Sequence, residues 1–134
     1  MSRELLKGLP LVIAIVLLSF PSSAFDLNGI WATDSALCSK MFEKQGSQVV
    51  FTELSDLYGS GFMIDGTRIK GKMAQCTIKS KKEDGQTLLI SAACATAIMH
   101  SDMEFSLKIV NDNAISRVFP GMSGMEVMYY RCAR

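Results

Sequence analysis

Residues 73–95 read Met-Ala-Gln-Cys-Thr-Ile-Lys-Ser-Lys-Lys-Glu-Asp-Gly-Gln-Thr-Leu-Leu-Ile-Ser-Ala-Ala-Cys-Ala, and no other stretch narrows the choice of fold so far. Two alternating runs flank a Lys-Lys-Glu-Asp-Gly turn, the signature of a β-hairpin. A pairing centred on Gly85 sets Cys76 opposite Cys94. It puts Ala74, Cys76 and Ile78 on one face with Ile90, Ala92 and Cys94, and Gln75, Thr77, Lys79 and Lys81 on the other. Directly opposed strand residues hold their Cβ atoms about 4.5–5.5 Å apart, within reach of a disulfide after a small adjustment.

The first 24 residues read as a secretory leader. Arg3 and Lys7 open it, Leu9 to Phe20 is an apolar run, and Pro21-Ser22-Ser23-Ala24 supplies the small residues of a cleavage site. The run is short for a membrane span of about 20 residues, so cleavage after Ala24 is expected rather than an uncleaved anchor. Residues 25–134 then form one domain in the periplasm or outside the cell, with no membrane span after cleavage. Of 14 Lys and Arg against 13 Asp and Glu, removing Arg3, Lys7 and Glu4 leaves twelve of each. A nucleic-acid partner would call for a basic excess, and none is expected. All four cysteines, Cys38, Cys76, Cys94 and Cys132, lie beyond the leader. An even count in a small exported chain implies two disulfides. With Cys76 and Cys94 paired across the hairpin, Cys38 is left for Cys132, a crosslink over a long loop and worth about 4–5 kcal/mol in the chain-entropy model.

The remaining chain divides into short alternating segments. Ile30 to Thr33 is a first strand. Asp34 is a helix N-cap for a short turn over Ala36–Glu43. Val49 to Leu54 is rich in strand formers. Phe62–Ile64 and Arg68–Met73 flank Asp65-Gly66, the strongest short turn signal in the chain. Met103, Phe105, Leu107 and Ile109 alternate with polar residues, Asn111-Asp112-Asn113 turns, and Ala114–Phe119 and Glu126–Cys132 close the sequence. About eight strands at roughly ten-residue spacing predict an all-β fold, a small antiparallel β-barrel with one short helix after strand one and two disulfides. Closure removes exposed edges.

Leu27-Asn28-Gly29-Ile30-Trp31 resembles the Gly-x-Trp opening of lipocalins and avidin-like proteins. That resemblance implies a tryptophan plugging one end of an up-and-down barrel whose interior holds a ligand. Tyr129-Tyr130-Arg131-Cys132 resembles the Tyr-x-Cys element of small periplasmic lysozyme inhibitors, which are disulfide-linked antiparallel barrels. Ser60-Gly61 is the nearest echo of their inhibitory loop. More broadly, the chain is similar to small bacterial exported proteins with a Gly-x-Trp start, an early cysteine and a terminal Tyr-x-Cys.

Catalysis finds little support in the residues. His100 is the sole histidine, the thiols are spent in disulfides, and Glu53, Asp56, Asp65, Asp102 and Glu104 show no diagnostic arrangement. No enzyme and no resident cofactor are expected. The leading expectation is a non-catalytic binding protein for a small apolar molecule or for an envelope or protein partner. Trp31, Tyr58, Phe62 and Tyr129 are its candidate ligand contacts, and Ser55–Gly61 and Pro120–Gly124 its mobile loops. Lysozyme inhibition is the second reading. The third is Cu(I) binding by Met99, His100, Met122 and Met125, soft ligands suited to that ion. The cations Arg68, Lys70 and Lys72, with Lys79, Lys81 and Lys82, make a positive strip or a solvated face that blunts strand pairing.

Overall fold

The computed structural model describes Gly8, residues 10–17 and residues 25–133. Most of the expected leader, including its basic start and its cleavage site, lies outside the described residues. Gly8 and residues 10–17 carry no regular secondary structure, and among the described residues no helix is long and apolar enough to cross a membrane.

Among the described residues ten strands follow one another: β1 (Gly29–Ala32), β2 (Phe42–Gln45), β3 (Gln48–Phe51), β4 (Gly61–Asp65), β5 (Arg68–Lys70), β6 (Gln75–Asp84), β7 (Thr87–Ala95), β8 (His100–Asn111), β9 (Ala114–Val118) and β10 (Glu126–Arg131). Eight of them close an antiparallel barrel in the order β1-β10-β9-β8-β7-β6-β5-β4, while β2 and β3 form a separate two-stranded arm. The barrel and both expected disulfides, Cys38–Cys132 and Cys76–Cys94, are present. The helix is shorter than expected. Asp34 does cap it, accepting from the Ala36 N–H at 2.9 Å, but one 3-10 turn (Ser35–Leu37) leads into a single helical turn, α1 (Cys38–Met41). Phe42 and Glu43 go instead to β2, where Phe42 pairs with Phe51, because the burial gained in that hairpin outweighs the weak preference of four residues for helix.

The Cys76–Cys94 hairpin holds its expected register at the cysteines and departs from it at the turn. Cys76 opposes Cys94 and Ile78 opposes Ala92, but Ser80 then opposes Ser91 and Asp84 opposes Thr87. Lys79 is the extra residue of a β-bulge, and the loop narrows to Gly85-Gln86, with Gly85 at φ 62°. Past a bulge the alternation of faces is reset. Lys81 therefore shares a face with buried Ile90, and Glu83 with buried Leu88, contrary to the outward orientation expected of Lys81. The six cations do not form one strip either. Lys72 lies in the β5–β6 turn, where it meets Asp56 at 3.1 Å and donates to the Glu53 carbonyl.

Inward-facing residues from every side fill the barrel. Trp31, Leu88, Ile90, Ala92, Leu107 and Ile115 are buried, along with Ile64, Tyr129 and the Cys76–Cys94 bridge. Residues 25–28 stopper one end. There Trp31 Nε1 donates to the Leu27 carbonyl at 3.0 Å, and the Phe25 backbone N–H donates to Glu83 Oε1 at 3.0 Å. Arg131 fastens the stopper. Its guanidinium lies 4.3 Å from the Trp31 ring centroid and donates to the carbonyls of Asp26, Asn28 and Asp112. A Cβ on Gly29 would stand 2.8 Å from Arg131 Nη1, and Gly29 has φ 138°. Glycine at the head of the Gly-x-Trp element thus has a local cause: the guanidinium that covers the tryptophan needs that space.

The arm packs on the outside of the barrel. Met41 and Phe42 join Ala32 and Cys132 in a second buried cluster, against Ile30, Met63, Val49, Phe51 and Tyr58. Ile30 pairs with Met63 one residue before Trp31 pairs with Phe62, so alternation sends the first pair outward to the arm and the second inward to the core.

Candidate functional site

Trp31, Phe62 and Tyr129 come together, but as packing. The Trp31 and Phe62 rings stand 6.5 Å apart and the Phe62 and Tyr129 rings 4.9 Å apart. Trp31 is fully buried, and its indole N–H is already satisfied by Leu27. The interior these three rings share is occupied by side chains. Tyr58 lies apart from them, in the outer cluster, with Lys40 5.2 Å from its ring. Strand alternation was visible in the sequence; the excursion that carries Tyr58 to the outside was not.

Met99 and His100 stand at the β7–β8 turn, and Met122 and Met125 in the β9–β10 loop. The topology puts both at the end of the barrel opposite the stopper. All four residues are exposed. Among the described residues no group of three or more His, Cys, Asp or Glu is placed to hold a metal ion. Ser60-Gly61 does not project as a loop. Thr33 and Ser60 bond to each other twice, through Thr33 N–H to the Ser60 carbonyl and Ser60 N–H to Thr33 Oγ1, and a Cβ on Gly61 would fall 2.5 Å from the Trp31 carbonyl oxygen.

A large recess lies between arm and barrel. About 1040 Å³ is bounded by Phe42, Val49, Val50 and Phe51 of the arm and by Ile30 and Met63 of β1 and β4, with the charged Glu43, Lys44 and Asp65 also in its lining. At its β5 side stand Arg68 and Lys70. Among the described residues neither pairs with a carboxylate, unlike Lys72 and Lys79. The sequence marks the parts of this recess without joining them. Val49-Val50-Phe51 was visible as a strand former and Arg68/Lys70 as a cationic alternation. Their meeting depends on the arm folding back across β1 and β4, for which no local signal exists.

A partly apolar recess with two cations at one lip has the parts to hold an amphiphilic ligand. The apolar wall removes a hydrocarbon from water, and the cations fix an anionic group through charge-assisted hydrogen bonds. No protein-family model matches the chain, and no curated protein or solved structure resembles it significantly.

Proposed function

We propose that this protein is a non-catalytic binding protein for a small amphiphile, one apolar chain ending in an acidic group, carried in the groove between arm and barrel. The observation that supports this reading is a recess of about 1040 Å³ with an apolar wall, at whose edge stand two cations, Arg68 and Lys70, that make no ion pair among the described residues. Small-molecule sites are mostly apolar clefts with a few convergent polar groups. The packed barrel interior favours the outer groove over the lipocalin-like interior site.

The magnitudes are consistent. Ten buried methylenes contribute about 8 kcal/mol. Two charge-assisted hydrogen bonds add about 3 kcal/mol, and association costs about 4 kcal/mol or more. The remainder corresponds to a dissociation constant in the micromolar range, on the order of 1–50 μM.

Calorimetric titration with decanoate, and with decanol as the uncharged control, tests the reading. Decanoate should bind in that range and decanol about tenfold more weakly. The Arg68→Ala/Lys70→Ala double variant should erase the difference. Absence of decanoate binding, or binding that Val49→Trp leaves intact, refutes the groove as the site.

A further inference from the structure

The same two cations line a second depression, of about 570 Å³, on the outer face of β5 to β8. Its shape follows from register. One cross-strand row runs Arg68, Thr77, Ala93, Asp102, and the next runs Lys70, Gln75, Ala95, His100. Each row begins with a long cation on β5 and drops to alanine on β7, with Asp102 or His100 rising again on β8. The result is a trough with Arg68 and Lys70 as one wall and His100 and Asp102 as the other. Arg68, Lys70 and Gln75 border this trough and the arm groove alike, so β5 is a shared sill.

The charges on the far wall differ from those on the sill. Lys79, the bulge residue, holds Asp102 at 2.7 Å. Asp102, among the described residues the one carboxylate lining the trough, is thus already engaged by a cation of the protein, and the rest of the trough beyond the sill offers hydrogen-bonding groups. A head group ending in an ammonium would meet no free carboxylate there. One carrying hydroxyls would meet the Gln75 amide, the Thr77 hydroxyl and the His100 imidazole, all exposed.

We infer that arm groove and trough form one continuous site bent over β5, and that its ligand is a single-chain lipid with an anionic phosphate and a hydroxylated head. The chain lies under the arm, the phosphate rests between Arg68 and Lys70, and the hydroxyls extend across Ala93 and Ala95. This rests on the groove reading above and narrows its ligand class.

The test compares two ten-carbon ligands below their micelle concentrations, decyl phosphate and the monoacyl phosphoglycerol of the same chain length. The phosphoglycerol should bind about tenfold tighter. Ala93→Trp, at an exposed position, should abolish that advantage and leave decyl phosphate affinity unchanged. In the unsubstituted protein, the amide resonances of Thr77, Ala93 and Ala95 should shift with the phosphoglycerol and stay in place with decyl phosphate. Equal affinities for the two ligands, or an advantage that survives Ala93→Trp, overturn the trough while leaving the groove. Failure of both ligands to bind overturns both.

Discussion

Replacing Arg131 by methionine isolates what the guanidinium contributes, because the unbranched stem is largely kept. Arg131 Nη2 donates to the Asp26 carbonyl at 2.7 Å and to the Asp112 carbonyl at 3.1 Å, Nη1 donates to the Asn28 carbonyl, and the group covers the Trp31 ring at 4.3 Å. A hydrogen bond from a charged donor contributes about 1.5–3 kcal/mol when buried. Arg131 is half-buried, so about 0.5–1 kcal/mol for each of the three carbonyls is the fitting value after solvent screening. The cation–π contact adds about 1 kcal/mol. The expected loss is therefore about 3 kcal/mol, a large share of the 5–15 kcal/mol typical of a domain. Urea unfolding of the oxidised protein, followed by the fluorescence of Trp31, the sole tryptophan, measures it directly. Gly29→Ala supplies a cross-check. Its Cβ would crowd Nη1 at 2.8 Å in a backbone at φ 138°, and only the crowding is relieved when Arg131 is gone. The two substitutions should thus be non-additive, with the double variant about 1 kcal/mol more stable than the sum of the singles implies. A loss below 1 kcal/mol for Arg131→Met, or strict additivity with Gly29→Ala, would refute the account of the stopper.

Four further outcomes are expected. Serine in place of Cys38 and Cys132, which are 94 residues apart, should cost about 4–5 kcal/mol, and the same exchange at Cys76 and Cys94, 18 apart, about 3 kcal/mol; a reversed order in denaturant midpoints contradicts the loop-length argument. Gly61→Ala should lose about 2–3 kcal/mol, because its Cβ would meet the Trp31 carbonyl oxygen at 2.5 Å where β1 and β4 close the barrel; a wild-type thermal midpoint speaks against that closure. Ser55→Ala should raise stability by about 1 kcal/mol, since among the described residues the buried Ser55 hydroxyl has no hydrogen-bond partner; a measured decrease points to a partner for that oxygen. Leu88→Ala, at a fully buried position, should cost about 3 kcal/mol; a value under 1 kcal/mol in the same unfolding assay argues against a filled barrel.

The elements were legible where local chemistry decides them. Period-two alternation marked β8, Asp65-Gly66 marked the β4–β5 turn, and the spacing of Cys76 and Cys94 about Gly85 fixed their pairing. The tight β6–β7 turn is not legible in the sequence because a bulge has no composition of its own: Lys79 is one lysine among several, and only the register identifies it as the supernumerary residue. The arm is not legible as an arm. Phe42 and Glu43 continue an apparent helix in sequence, and only the partner strand β3 draws them out of it. For the same reason the sequence points to the aromatic side chains Trp31, Tyr58, Phe62 and Tyr129 as ligand contacts. Trp31, Phe62 and Tyr129 pack in or against the barrel core, whereas the recess is built from residues of the arm, β1, β4 and β5 that distant segments bring into line.

The bond between the Phe25 backbone nitrogen and Glu83 has a consequence for maturation. In the full-length chain that nitrogen is an uncharged amide facing the carboxylate at 3.0 Å. A peptidase cutting after Ala24 would turn it into a free α-amine, protonated at neutral pH, and the same two atoms would become an ion pair. Export would then fasten the cork by the very cut that frees the protein, so the precursor should unfold more readily than the processed form.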